Sequence, residues 1–405
     1  MVEMCASVPD KERRGTMKRV AILTMHRVMN VGSMLQAHAL QQAVSKQGFI
    51  SEIIDYHYPS VYHVINSIGV ENPLAGRGLL RQLLKRVGLF RLAKGARFWL
   101  TERRVRSEIL RQSDFQRCAQ GRYSRRSIRK ALPRYDIYLT GSDQVWNPRY
   151  IHDDLNFFWS FTPDEAIRIS YAASFGTKSV PAEYLEMYGR QLRRYRAISV
   201  REGTGVSVVH ELSGHDAACV LDPTFLPTHE DWQVFSEGAL PVEASCPYVF
   251  FYLLNYVFDP YPDAYEFARR VSRELGVRVV MTFGGGCISV PPCTEDVVFL
   301  SRFVGPREFI ALIRGAEAVV SNSFHGVALS ANFHKNFLAI LNPNKTKDDR
   351  VRDFLVRTDL RRRGVELADC RSLSDPFKGQ SDDDFARMEK LREESRAWLA
   401  NALKT

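Results

Sequence analysis

Residues 321–330 read Ser-Asn-Ser-Phe-His-Gly-Val-Ala-Leu-Ser, directly after the apolar run Ala318-Val319-Val320. The pattern predicts a buried strand, a polar turn and a helix whose first turn carries His325. A helix start offers unpaired N–H groups and a partial positive charge, which suits an anion. An imidazole there can give or take a proton near neutral pH. His325 is therefore a candidate acid–base group, and Ser321, Ser323 and Gly326 are candidate anion-binding positions around it.

Other polar stretches also follow apolar runs. After Tyr135–Thr140 comes Gly-Ser-Asp-Gln-Val-Trp, in which Asp143 can accept a proton, hold a hydroxyl or merely cap a helix. Ser142 and Gln144 flank it, and Trp146 either stacks on a sugar ring or lies in the core. After residues 19–25, Asn30 and Gly32 make a turn and Ser33 has the chemistry of an N-cap. After residues 195–200 comes Arg201, whose fork can hold a carboxylate or phosphate, or pair with Glu202 or Asp222. Gly284 and Gly285 belong to a triple glycine that lets backbone approach a ligand closely. The loop 342–350 carries Lys345, Lys347 and Arg350, enough charge to close over an anion.

The elements that must position these residues alternate. Short Val/Ile/Tyr-rich runs (19–25, 51–56, 135–141, 167–174 and 195–202, then 248–254, 277–283, 297–301, 316–322 and 336–341) are separated by helical patterns such as 33–48, 264–276 and 306–316. That alternation predicts parallel sheets covered on both faces. The chain of 405 residues is too long for one ordinary core, so two domains are expected. We place an N-terminal Rossmann-like domain at 17–205 and a C-terminal, donor-binding one at 206–375, with a terminal helix at 376–405. The hinge is expected around 203–245. Residues 75–130 interrupt the alternation. Leucines there fall at helical spacing, and seventeen Lys/Arg face only three Asp/Glu, so this one segment exceeds the whole net charge of +10. It reads as a helical basic insertion, either a cover on the first domain with a solvated face or a helix lying on an anionic membrane surface.

Composition narrows the class. The chain is 45% hydrophobic and 11% aromatic, and no apolar run is long enough to span a membrane. The N-terminal stretch does not read as a signal peptide. Seven cysteines are scattered without a CxxC, which suits reduced thiols in a cytoplasm, and Cys287 and Cys293 lack a second pair for zinc. No nucleic-acid-binding module is present, and no metal site is expected.

Taken in order, the stretches NVGSMLQAHAL, YDIYLTGSDQVWN, SYAASFG, ISVRE, VLDPTFL and SNSFHGVALS resemble the polysaccharide pyruvyl transferase family, over about residues 18–360. The resemblance implies a fold like that of GT-B glycosyltransferases, two Rossmann-like domains facing a cleft. It implies transfer of a pyruvyl group from phosphoenolpyruvate to two hydroxyls of a sugar in a cell-surface polysaccharide precursor, forming a cyclic ketal without a cofactor. The family histidine falls on His325 as general acid, and its strand-end arginine on Arg201. Asp143 would orient or deprotonate the acceptor. Donor contacts would come from Arg201, Ser321, Ser323, Gly326, Gly284, Gly285, Lys345 and Arg350. Acceptor contacts would come from Asn30, Gly32, Ser142, Gln144 and Trp146. A lipid-linked acceptor would bring the protein to the inner face of the membrane. Family members often carry Arg-Leu-His where this chain has Ser323-Phe324-His325. Either Arg201, Lys345, Lys347 or Arg350 then supplies the missing charge, or the donor differs; a GT-B glycosyltransferase using a nucleotide-sugar is the alternative.

Overall fold

The computed structural model describes residues 17–57 apart from 29, residues 107 and 111, and residues 113–404 apart from 255–257, 259, 285–293, 301–303 and 345–349. Most of the expected basic insertion, together with Gly285, Lys345 and Lys347, lies outside the described residues. What is described of it forms a short strand and a single helical turn, Ile128–Ala131.

The strands, in chain order, are β1 (Arg19–Leu23), β2 (Ile50–Ile53), β3 (Tyr56–His57), β4 (Tyr123–Ser124), β5 (Ile137–Thr140), β6 (Ile167–Ala173), β7 (Ala197–Val200), β8 (Ala218–Cys219), β9 (Tyr248–Leu254), β10 (Arg278–Gly284), β11 (Val297–Phe299), β12 (Ala318–Ser321), β13 (Asn336–Leu341) and β14 (Gly364–Glu366). They make two six-stranded sheets, ordered β2-β1-β5-β6-β7-β8 and β11-β10-β9-β12-β13-β14, and a small β3-β4 pair. Every described pairing of strands in the two large sheets is parallel. Strands such as β5 and β9 are buried at every residue, as strands covered on both faces must be. The ten expected runs are all strands, within a few residues at their ends. The expected hinge region is instead ordered into a helix, β8 and a second helix, and β8 extends the first sheet past residue 205.

The helices that shape the site are α1 (Val31–Lys46), α2 (Gly203–Ser213), α3 (His229–Phe235), α4 (Asp263–Glu274), α5 (Pro306–Gly315), α6 (Phe324–Asn332), α7 (Arg350–Arg357) and α8 (Ala386–Lys404). α1 is buried on nearly every face because it is shared. Its Ala37 and Leu40 pack on the first sheet with Val20 and Ile22, while Val31 and Leu35 join Ile310 and Ile313 of α5. α8 returns across both halves. Met388 and Leu391 enter the core that holds α5 and α6, and Leu399 and Leu403 enter that of the first sheet. Apolar burial of this kind, about 25 cal/mol per Å2, holds the two halves in register.

In open parallel sheets a ligand crevice forms where the strand order reverses. Here the reversals lie between β1 and β5 in one sheet and between β9 and β12 in the other.

Candidate active site

The second sheet's reversal is built by the turn after β12. The Asn322 side chain bonds both backbone groups of Leu254, accepting from its N–H at 2.7 Å and donating to its carbonyl at 2.8 Å. The turn is thereby pinned to the end of β9. Ser321 Oγ donates to Tyr252 O at 2.6 Å and accepts from Ser323 N at 3.1 Å. Ser323 is the N-cap of α6, its Oγ accepting from Gly326 N at 3.4 Å. A Cβ on Gly326 would lie 2.6 Å from Ser321 Oγ, so this tight start requires glycine. Ser321 and Ser323, both buried, thus spend their hydroxyls on the turn rather than facing a donor. What the turn presents is His325.

The first sheet's reversal supplies the facing wall. Asp143 follows β5 with a φ of +68°. Its Oδ2 accepts from Ser33 Oγ at 2.5 Å, and its Oδ1 lies 3.4 Å from Arg201 Nη2 and 4.0 Å from Arg350 Nη1. Arg201 Nη1 donates to Asp222 Oδ2 at 2.9 Å, and the guanidinium lies over the Phe324 ring at 4.6 Å. Asp222 Oδ1 accepts from the Thr224 N–H and hydroxyl, both at 3.0 Å. His325 Nε2 stands 3.7 Å from Asp222 Oδ2. That is an electrostatic contact too long for a hydrogen bond, and Nε2 is buried without a hydrogen-bond partner. Gly32, in the first turn of α1, lies against the imidazole, and a Cβ there would come within 2.0 Å of His325 Nδ1. Only a glycine lets the two halves meet at this point.

Burial raises the pKa of a carboxyl and a neighbouring cation lowers it. At Asp143 burial is outweighed by Arg201, His325, Arg350 and the Ser33 hydroxyl, which hold the group below the usual carboxylate range. At Asp222 burial is outweighed by His325, Arg201 and the Thr224 N–H, and the pKa is again lowered. Glu202 goes the other way. Burial raises its pKa despite Arg201 and the hydrogen bonds from Gly176 N and Ser174 Oγ. Its Oε1 accepts from Ser174 Oγ, Phe175 N and Gly176 N, while Oε2 is buried with no partner. Beside it lies a narrow recess lined by Arg201, Glu202, Asp222, Phe324, Arg350 and Arg357 among others. Arg357 donates to the carbonyls of Arg201 and Cys219 and ties α7 to the ends of β7 and β8.

The structure therefore brings together His325, Asp143, Arg201, Arg350 and Gly32 from the sequence-derived candidates. It corrects others. Trp146 is fully buried, stacked on Phe158 at 5.3 Å and edge-on to Tyr195, so no ring face is left for a sugar. Ser142 is also fully buried. Its Oγ donates to Ala172 O and its N–H to Gln36 Oε1, so it serves the strand end. Gln144 accepts from Asn147 Nδ2 and holds its own loop. The cap of α1 is Asn30, whose Oδ1 accepts from the N–H groups of Gly32 and Ser33, and this frees Ser33 for Asp143. Gly284 closes β10 rather than lying in a loop. Asp222 and Glu202 were not among the candidates. Both sat in quoted motifs, VLDPTFL and ISVRE, each just past a strand. Among the described residues no group of His, Cys, Asp or Glu could hold a metal ion.

Residues 30–344 match the polysaccharide pyruvyl transferase family. No curated protein matches the chain. Among solved structures, a UDP-N-acetylglucosamine 2-epimerase superposes with a TM-score of 0.53 at 10% identity, over 95% of this chain and 94% of that one. A putative UDP-N-acetylglucosamine 2-epimerase from Listeria monocytogenes gives 0.47 at 9% identity over 93% and 95%. The spinosyn rhamnosyltransferase SpnG gives 0.46 at 13% identity over 96% and 100%. The fold is GT-B-like, two Rossmann-like halves around a cleft.

Proposed function

The chain belongs to the polysaccharide pyruvyl transferase family, and on that premise we propose that it moves a pyruvyl group from phosphoenolpyruvate onto two hydroxyls of a sugar in a cell-surface polysaccharide precursor, closing a cyclic ketal. The observation that carries this reading is a single imidazole, His325, at a helix start, facing a carboxylate held ionised, at the point where both sheets reverse.

His325, protonated, gives its proton to the methylene carbon of phosphoenolpyruvate, which leaves the adjacent carbon electron-poor. A sugar hydroxyl attacks that carbon and loses its proton to a cleft carboxylate. The bond to the phosphate oxygen breaks and phosphate departs with the electron pair. The second hydroxyl then closes the ring and its proton passes to the now neutral His325, which restores the acid, while the proton taken by the carboxylate leaves with phosphate. Asp222, 3.7 Å from Nε2, is the carboxylate nearest the charge that the imidazole carries before it gives up its proton. Asp143 stays ionised beside Arg201, which makes it a better acceptor of a sugar hydroxyl's hydrogen bond than a base. Glu202, with its raised pKa and a buried Oε2 that has no hydrogen-bond partner beside the recess, is the carboxyl suited to carry the proton. Arg201 is already shared by two carboxylates. The donor's phosphate is assigned to Arg350 at the head of α7, which lines the same recess as Glu202 and Arg201.

That sharing also keeps a nucleotide-sugar transferase as the second reading, because Ser323 supplies no charge where family members often carry arginine. Calorimetric titration with phosphoenolpyruvate, UDP and GDP separates the two. Phosphoenolpyruvate is expected to bind, with affinity falling in Arg350→Ala. His325→Ala should bind it yet lose about 10²–10⁴-fold in phosphate release with acceptor present. Binding of UDP or GDP without phosphoenolpyruvate would replace this reading by the second.

A further inference from the structure

The C-terminal helix α8 lies outside the stretch that matches the family, yet it reaches the backbone beneath the candidate site. Arg392, Ser395 and Arg396 are three and four positions apart, so they share one face of the helix. That face meets the turn 221–226, which leaves β8 and carries Asp222. Ser395 is buried. Its hydroxyl donates to Leu391 O at 2.6 Å and accepts from Leu221 N at 2.9 Å. Arg396 brings Nε and Nη2 to Leu226 O, at 3.1 and 2.9 Å. Arg392 acts through the last residue of α6. It donates to Asn332 Oδ1 and, at 3.3 Å, to Asn332 O, while Asn332 Nδ2 donates to Thr224 O at 2.9 Å. One helix therefore holds the turn before Asp222, after it and at its exit.

Docking alone does not account for this face. Met388, Leu391, Leu399 and Leu403 already bury the apolar side of α8, and a buried guanidinium such as that of Arg392 costs free energy unless it is bonded. What the bonds fix is the carboxylate. The N–H and hydroxyl of Thr224 orient Asp222 Oδ1, which sets Oδ2 against Arg201 and toward His325. His325 begins the same helix that Asn332 ends, so α6 and the turn are tied together at both ends.

We propose that Arg392, Ser395 and Arg396 are positioning residues, a clamp from α8 that holds the Asp222 carboxylate toward His325. This deepens the function proposed above and rests on that reading.

NMR of the His325 ring, its signal assigned from His325→Gln, tests the clamp in the full chain. Ser395→Ala and Arg396→Met each remove one anchor. Arg396 is partly exposed, so its variant reads out even where Ser395→Ala does not fold. In both, the ring signal should move toward its position in Asp222→Asn, and the backbone amides of 221–226 should exchange faster. Arg396→Lys, which keeps a donor for Leu226 O, should restore the native signal. Phosphate release from phosphoenolpyruvate with acceptor present should fall about 10–10²-fold, as expected when a catalytic group is misplaced, with phosphoenolpyruvate affinity unchanged. A ring signal that stays native in both variants overturns the clamp. So does an equal movement in Leu403→Ala, which loosens docking without touching the turn, or a moved signal with an unchanged rate. If the signal moves as expected while phosphoenolpyruvate never binds, the clamp stands and the pyruvyl reading falls.

Discussion

The two walls of the cleft are built from unlike chemistry. The first sheet brings charge: Asp143 after β5, Arg201 and Glu202 after β7, Asp222 after β8. The second brings a turn of small hydroxyl and amide side chains and one imidazole. On the charged wall the side chains fix one another, and Arg201 is held by two carboxylates from different strand ends. On the polar wall the side chains fix the backbone, and the backbone places His325. Preorganisation therefore comes from pairing on one side and from capping on the other. The two should fail differently when a member is removed.

The largest loss is expected on the charged wall. Arg201→Met keeps the length of the side chain and removes the charge. It leaves Asp143 buried without its largest counter-charge and Asp222 with only His325 and the Thr224 N–H to oppose its burial. Breaking a buried pair in this way costs about 3–5 kcal/mol. Denaturant unfolding at neutral pH checks the figure. The same carboxylates give the sign of the pH dependence. Their pKa values are lowered by folding, so their stabilisation is present above the ordinary aspartate range and is lost as pH falls through the folded values. Native protein should therefore lose stability in acid. The variant should lose less, because it no longer has that stabilisation. An equal acid response in both would mean that the Arg201 pairs contribute nothing.

Between the walls, Gly32→Ala probes their contact. The added Cβ would lie 2.0 Å from His325 Nδ1. The clash falls between the two halves and can be relieved by parting them. Overpacking of this kind costs about 1–3 kcal/mol. It should appear as a lower turnover rate with each half still folded. A variant that turns over at the native rate would show that the closed contact is not the working one.

How much of this was readable beforehand divides along the same line. The polar wall was legible, because a strand, a Ser-Asn-Ser turn and a helix start are local patterns, and His325 sits where they place it. The parallel strands were legible for the same reason. The charged wall was half legible. Asp143 and Arg201 stood out at strand ends, but Asp222 follows a strand of only two residues, too short to show any period. Glu202 looked like a partner for Arg201, and only its burial reveals the raised pKa. Ser33 looked like a cap because Ser and Asn are both good caps. Three-dimensional packing gave the cap to Asn30 and sent Ser33 across to Asp143. Trp146 stayed open between sugar and core because an indole beside polar residues reads alike on a surface and in a core, and its full burial decides for the core.

On the polar wall a single loss should be smaller. Ser323→Ala removes the cap of α6, worth about 0.5–2 kcal/mol. Its main consequence should be a looser His325 rather than an unfolded protein. Turnover should fall more than stability does, measured as phosphate release against the unfolding midpoint. Ser323→Asp, which can still cap, should restore most of the stability. A cost as large as that of Arg201→Met would erase the contrast between pairing and capping.

The smallest expected effect tests the exception on the charged wall. Glu202 is the one carboxyl there at which burial outweighs the neighbouring cation and hydrogen bonds, so that its pKa is raised. Its contribution to stability is present below the ordinary glutamate pKa and is lost as pH rises through the raised folded value. Glu202→Gln keeps an acceptor for Ser174, Phe175 and Gly176 and removes the charge from the unpartnered side. Relative to native protein, the variant should gain stability as pH rises from acid to neutral, opposite in sign to the native protein's response through Asp143 and Asp222. Melting curves across that range read the difference directly. Turnover should fall at the same time if Glu202 carries the proton as proposed. A stability gain with native turnover would keep the pKa argument and remove Glu202 from the chemistry. A pH-independent difference would mean that the hydrogen bonds to Oε1 keep it ionised like its neighbours.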